Sequence, residues 1–182
     1  MFRSATSQDI DILHQLLVAE AGEGRVDARL AAEPYRSALR KNLNNIRKKG
    51  RRLDEDLAAQ LLVWEKDGQI AGCLINSAII PDAGNEIWLI AVLPEFRGQG
   101  EGSRMNNELL AHLHPRVDIF ARCGTQAQVA MQMFLRRGFL PLDTTDQGVQ
   151  ILKLPKLGAA LAGQKQSRQE LEAFVEIPVQ SR

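Results

Sequence analysis

Aromatic residues are scarce, at 5% of the 182 residues, and only one of them, Tyr35, is a tyrosine. A mechanism that needs a tyrosine hydroxyl therefore has a single source. Cysteine is nearly absent too. Cys73 and Cys123 lie far apart, so neither a disulfide framework nor a zinc-type spacing is suggested. No uncharged apolar run approaches the length that spans a bilayer. The N-terminus, Met-Phe-Arg-Ser-Ala-Thr, has no basic, then apolar, then small-residue pattern of a secretory signal. With a net charge of +1 there is no global field favouring nucleic acid or a membrane. The phosphate-loop pattern ending in Gly-Lys-Ser or Gly-Lys-Thr does not occur. These absences together imply a reduced, cytoplasmic chain with no membrane association and no metal.

What remains is 45% hydrophobic and 25% charged, the composition of an ordinary globular protein of one domain. Positive charge is concentrated. Arg36, Arg40, Lys41, Arg47, Lys48, Lys49, Arg51 and Arg52 follow one another with no acid among them, which leaves the rest of the chain net acidic.

Hydrophobic periodicity predicts a short strand at 2–6, then a helix with Ser7 as N-cap and Ile10, Leu13, Leu16 and Leu17 on one face. That helix should stop near Gly22 or Gly24. A second helix is expected from Pro34 to Lys49, with Leu39, Leu43 and Ile46 as its stripe, and a short one at 54–59. The period then changes. Gln60–Lys66, a turn at Asp67-Gly68, Gln69–Ile80, a turn at 81–85 and Glu86–Leu93 read as an antiparallel meander. Helices at Ser103–Leu113 and Thr125–Arg137 alternate with strands at Arg116–Cys123, Phe139–Leu142 and Gly148–Leu154. The strand–loop–helix–strand unit from 86 to 122 is a right-handed parallel crossover by default. The expected class is α/β: a mixed, mostly antiparallel sheet flanked by helices, in a domain of residues 1–154. Residues 155–182 form an extension, either disordered or holding one short helix, for which Ser167 to Glu170 has capping-box spacing.

The sharpest local signal is Val92-Leu93-Pro94-Glu95-Phe96-Arg97-Gly98-Gln99-Gly100-Glu101-Gly102-Ser103. Proline ends the strand, and three alternating glycines let the backbone aim successive N–H groups into one concavity. A helix starts at once, so its unpaired amides and positive dipole end face the same place. The combination suits a pyrophosphate. A dinucleotide fingerprint fits poorly: the third glycine of that pattern is missing, and Pro94 to Arg97 intervene between strand and glycines.

Arg97-x-x-Gly100-x-Gly102 after Val92-x-Pro94 resembles the acyl-CoA loop of the GNAT N-acetyltransferase superfamily. The run Phe134-Leu135-Arg136-Arg137-Gly138-Phe139 resembles that family's later motif. The resemblance spans roughly residues 2–154. It implies a parallel, splayed pair formed by the strands at 86–93 and 116–122. It places pantetheine against the backbone of Ile90, Ala91 and Val92, and pyrophosphate on Arg97, Gly98, Gln99, Gly100, Glu101, Gly102 and Ser103. The implied activity is transfer of an acetyl group from acetyl-CoA, as co-substrate, to a primary amine. Glu86 matches a glutamate that serves several members as base, often through water; a solvated carboxylate at a strand start is the other reading. An amide near Val92 would hold the oxyanion. Where the family commonly has a tyrosine acid, this chain has Phe134, and Cys123 and Thr125 are the nearby candidates. That departure keeps open a module that binds or senses acyl-CoA without turning it over.

The basic run is either a solvated helix face or a positive wall of the acceptor site. The second reading would suit an anionic or macromolecular acceptor, such as a protein terminus or charged tRNA, and disfavour polyamines. A homodimer is a possible assembly. His14 is expected at the surface or its boundary, and His112 and His114 point to different sides of a helix end.

Overall fold

A computed structural model describes residues 1–79, 84–146, 148–157 and 175–179. The strands are β1 (Phe2–Ser4), β2 (Ala59–Lys66), β3 (Gln69–Ala78), β4 (Gly84–Val92), β5 (Asp118–Cys123), β6 (Leu140–Thr144) and β7 (Gln150–Leu154). The α-helices are α1 (Ile10–Gly22), α2 (Tyr35–Lys49), α3 (Glu101–Leu113) and α4 (Gln128–Leu135), with 3₁₀ turns at Ala28–Ala31 and Pro94–Phe96.

The seven strands among the described residues form one sheet in the order β1-β2-β3-β4-β5-β7-β6. Every neighbouring pair is antiparallel except β4 and β5. Strand alternation splits the apolar residues between two cores. Leu61, Val63, Cys73, Ile75, Leu89 and Ala91 face α1 and α2, meeting Leu13, Leu17, Leu39, Leu43 and Ile46. Leu62, Trp64, Leu74, Ile119 and Ala121 face the other way, onto Met105, Leu109 and Leu113 of α3 and Phe134 of α4.

The first helix begins later than its serine suggested. Asp9, not Ser7, precedes α1. Its carboxylate accepts from the Thr6 N–H (2.6 Å) and hydroxyl (2.8 Å) and takes two bonds from Arg3 (2.7 and 3.0 Å), so β1 and α1 are tied at one buried point. His14 is buried, because the Arg36 carbonyl of α2 lies 2.9 Å from its Nε2 and draws the ring into the helix interface. The short helix expected at 54–59 does not form. Asp56 takes a positive φ of 50°, and the Arg52 N–H donates to the Leu57 carbonyl (2.8 Å), which folds 51–58 into a closed loop.

The expected turn at 81–85 lies mostly outside the described residues, and so does the capping box at 167–170. Residues 175–179 pack beneath the sheet. Gln60 exchanges two 2.8 Å bonds with the Ile177 backbone. The Asn85 amide donates to Asn76 Oδ1 (2.9 Å) and the Val175 carbonyl (3.0 Å) and accepts from the Val175 N–H (3.2 Å). Asn76 and Asn85 are fully buried, and Ile177 completes the core over α3.

Candidate active site

The parallel pair opens along its length. Gly84 lies opposite Asp118, and a Cβ there would come within 2.6 Å of the Asp118 carbonyl, so only glycine allows the strands to close at that end. Pairing then runs through Glu86–Phe120 and stops at Ile87–Ala121. On its other edge β4 carries a bulge: Asn76 of β3 faces Ile87 and Ile75 faces Leu89, which leaves Trp88 as the extra residue. The bulge falls where the pairing of β4 with β5 ends. The Leu93 N–H bonds back to the Ala71 carbonyl of β3 (2.9 Å). By alternation, the Ile90 and Val92 N–H groups point toward the β5 side. The crevice between the strands, about 30 Å3, is lined by Trp88, Ile90, Arg122, Cys123, Phe134 and Arg25 among others.

The glycine loop sits at the open end. Gly100 precedes α3 with φ 81°, a left-handed conformation that glycine adopts without strain. The first bond of the ladder runs from the Arg104 N–H to the Gly100 carbonyl (3.0 Å), so the amides of the preceding turn fall outside it. A Cβ at Gly98 or Gly100 would meet nothing within 4 Å, so the concavity is open. These features fit the pyrophosphate of a coenzyme A thioester, with amides as donors and the splayed strand edge for the pantetheine arm.

The loop's side chains make contacts of their own. Arg97 turns inward, where its Nε donates to the Val92 carbonyl (3.0 Å) and its guanidinium pairs with buried Glu20 of α1. Glu20 also holds Arg25 (2.8 Å), linking the loop to the segment after α1. Glu101 is buried. It accepts from Trp64 Nε1 (2.8 Å) and pairs with Lys66 (3.2 Å) and Arg104, and its carboxylate is held below the usual range by the Trp64 bond, against burial, with the two cations adding to the effect. Gln99 bridges the Glu95 carbonyl and Lys66. The Ser103 carbonyl accepts from Arg137 (3.1 Å), which also bonds Asn107 and Met133 and so locks α4 to the start of α3.

Glu86 lies at the fork. Its side chain is 3% exposed between Arg122 (2.8 Å) and Arg52 (3.8 Å). Burial pushes its carboxyl up, and the two guanidinium charges only partly offset that. Although Arg122 Nε is close, it is not aligned as a hydrogen bond, and Glu86 Oε1 is buried without a hydrogen-bond partner. Arg52 is itself buried, stacked on the Trp88 ring at 4.1 Å and paired with Asp54. Phe134 lines the crevice and packs on Phe139 with centroids 5.0 Å apart. Cys123 also lines it, its thiol pushed up to about 11 by burial. The thiol of Cys73, deep in the other core, is pushed up to about 12, chiefly by burial.

The basic run divides. Arg40, Lys41, Asn44, Asn45 and Lys48 line a separate open groove of about 340 Å3 on α2, which shares no residue with the strand crevice. Only Arg52 of the run reaches Glu86. Arg122, Glu20 and Arg104 were not singled out by the sequence as site residues, and Arg52 only as one member of the basic run. The alternation of β5 could have placed Arg122, since Ile119, Ala121 and Cys123 on the opposite face are apolar. The rings of His112 and His114 lie against the Glu108 carbonyl (2.8 Å) and the Pro155 carbonyl (3.0 Å). No group of His, Cys, Asp and Glu suited to a metal, and no helix long and apolar enough to cross a membrane, occurs among the described residues.

No curated relative matches the chain in sequence. Solved structures share the fold at low identity. An N-acetyltransferase from Staphylococcus aureus Mu50 has a TM-score of 0.62 at 15% identity, covering 85% of this chain and 100% of that one. A ribosomal-protein-alanine N-acetyltransferase from Brucella melitensis gives 0.63 at 17%, with 85% and 99% covered. A spermidine N-acetyltransferase chimera from Vibrio cholerae and hSSAT gives 0.59 at 16%, with 85% and 96% covered. A sequence model of the acetyltransferase (GNAT) family matches residues 27–139, taking in the splayed strands, the glycine loop and Phe134. The chain belongs to the acetyltransferase (GNAT) family and is an acetyltransferase.

Proposed function

We propose that the chain moves an acetyl group from acetyl-CoA to a primary amine by direct attack on the thioester. The observation that carries this reading is the fork at Ile87–Ala121, where the β4–β5 ladder ends, a buried carboxylate sits on one side and the glycine loop on the other. The loop 97–103 would hold the pyrophosphate through backbone amides, and Ile90, Ala91 and Val92 would flank the pantetheine. Arg97 would then have to exchange Glu20 or the Val92 carbonyl for phosphate.

The chemistry follows from neutral nitrogen being the nucleophile. The amine lone pair forms the C–N bond, and the carbonyl oxygen gains charge that an amide near Val92 stabilises. Collapse breaks the C–S bond. Glu86, directly or through water, takes the proton that nitrogen loses, and burial makes it a stronger proton acceptor than an exposed glutamate. The thiolate takes a proton from water or another donor, since Phe134 has none to give.

Free-thiol release from acetyl-CoA with a panel of amines tests the reading; silence across the panel, with acetyl-CoA bound, would favour instead a sensor that binds acyl-CoA without turnover. Phe134 is the observation on which that second reading draws.

A further inference from the structure

We propose that Arg122 binds an oxyanion on the acceptor, so that the amine donor is a zwitterion of the amino-acid type whose ammonium lies at Glu86 and whose carboxylate or phosphonate lies on Arg122. The inference rests on the acetyl-transfer reading and names its acceptor class.

Arg122 is the first residue of β5 beyond the last parallel pair with β4. Ile119, Ala121 and Cys123 enter the core over α3, so Arg122 projects from the opposite face, toward the side that carries α1 and α2. Its side chain is 53% exposed, yet it is oriented, because Nε lies 2.8 Å from the buried Glu86 carboxylate. Glu86 is its ion-pair partner among the described residues, and neither terminal nitrogen donates a hydrogen bond to any of them. A guanidinium held by one nitrogen with its planar fork open is pre-organised for a bidentate carboxylate or phosphonate.

The neighbouring cations are committed. Arg25 is occupied by Glu20 and Glu23, and Arg52 by Asp54, Glu55 and the Trp88 ring. Arg122 is therefore the guanidinium with open donors among the described residues that line the crevice. Trp88, Val26 and Phe134 make the surroundings partly apolar, which strengthens a charge contact there.

Glu86 supplies the complementary half. Its buried Oε1 has no hydrogen-bond partner and lies 2.8 Å from Arg122 Nε, so an ammonium reaches it when the Arg122 side chain shifts onto the acceptor's oxyanion. A carboxylate and a guanidinium side by side match an ammonium and an oxyanion separated by one or two carbons. A polyamine has no oxyanion to offer Arg122 and would bring a second cation beside it.

The test uses the full chain and matched acceptors: free amino acids, the amines left by removing the carboxyl group, the amino-acid amides, and aminoalkylphosphonates. The expected result is a kcat/KM at least tenfold higher for acceptors bearing the oxyanion than for their decarboxylated partners. R122Q should bring that ratio toward one by raising KM for the zwitterion, R122K should restore part of it, and the melting shift induced by acetyl-CoA should persist in both. A wild-type ratio near one, or equal losses on both classes in R122Q, overturns the assignment. Calorimetry of the same acceptors with CoA present separates the two readings. Discrimination in binding without thiol release from any amine overturns acetyl transfer and keeps the Arg122 site. Thiol release without discrimination overturns the Arg122 site alone.

Discussion

Glu86 combines burial with two guanidinium neighbours, and the balance decides what its removal does. Because burial outweighs the attraction of Arg122 and Arg52, its carboxyl is raised above the ordinary glutamate value. The folded state therefore favours the protonated form. Its contribution to stability is full below the unfolded value and is lost as pH rises through the folded one. Glu86→Gln, which mimics the protonated group, should melt no lower than the parent at neutral pH. Its kcat/KM should fall about 10²-fold or more, the scale of a positioned base. The parent's rate should also drop on acidification through a value above the usual glutamate range, and Glu86→Gln should lack that limb. Paired pH–rate and melting curves check this, and equal pH dependence in the two proteins removes Glu86 from the chemistry. Phe134 offers the converse test. Phe134→Tyr places a hydroxyl in the crevice beside Cys123, at a cost of about 1–3 kcal/mol if it stays unpaired. Turnover should rise or hold, with the melting temperature reporting the cost. Loss of stability with no gain in turnover would mean that the hydroxyl is not near the sulfur.

Among the elements, the loop and helix carrying residues 97–113 should respond to a single backbone position. Gly100→Asp leaves no steric clash, since its Cβ would meet open space, but it strains the left-handed turn and puts a negative charge where phosphate oxygens would rest. The melting shift produced by acetyl-CoA should be lost, and an unaltered shift would move the pyrophosphate elsewhere. The junction of β1 and α1 makes a second prediction. Burial opposes the charge on Asp9, but its bonds from Arg3 and Thr6 prevail and hold the carboxyl low. That contribution exists above the unfolded value and disappears as pH falls through the folded one. Asp9→Asn should lose about 2 kcal/mol at neutral pH in denaturant titrations, and the difference should close under acid. Much of this level was legible in the sequence, because a helix stripe or a glycine turn is written in adjacent residues. Leu39, Leu43 and Ile46 marked α2, and the run from Pro94 to Ser103 marked the glycine loop that opens α3. The bulge at Trp88 was not legible, since it depends on β3 and β4 counting residues differently. The inward turn of Arg97 was equally hidden: its partner Glu20 is 77 positions away.

For the molecule as a whole, the segment 175–179 is where the sequence reading was weakest. A single Val-x-Ile pattern cannot say which distant amides it will meet, and Gln60, Asn76 and Asn85 look like ordinary polar strand residues until they are seen facing it. Asn85→Ala should cost about 2–3 kcal/mol, because the Val175 amide and the Asn76 carbonyl oxygen would each lose a partner inside the core. Limited proteolysis should then cut within residues 175–179 far faster than in the parent; unchanged resistance and stability would show that the segment contributes little. The same contacts put a clock on biosynthesis. Gln60 and Ile177 are 117 positions apart, so at roughly 5–20 residues per second a ribosome delivers the second on the order of ten seconds after the first. Through that interval the meander can pair its own strands, but the buried amides that will meet residues 175–179 must stay in water until that segment has been made.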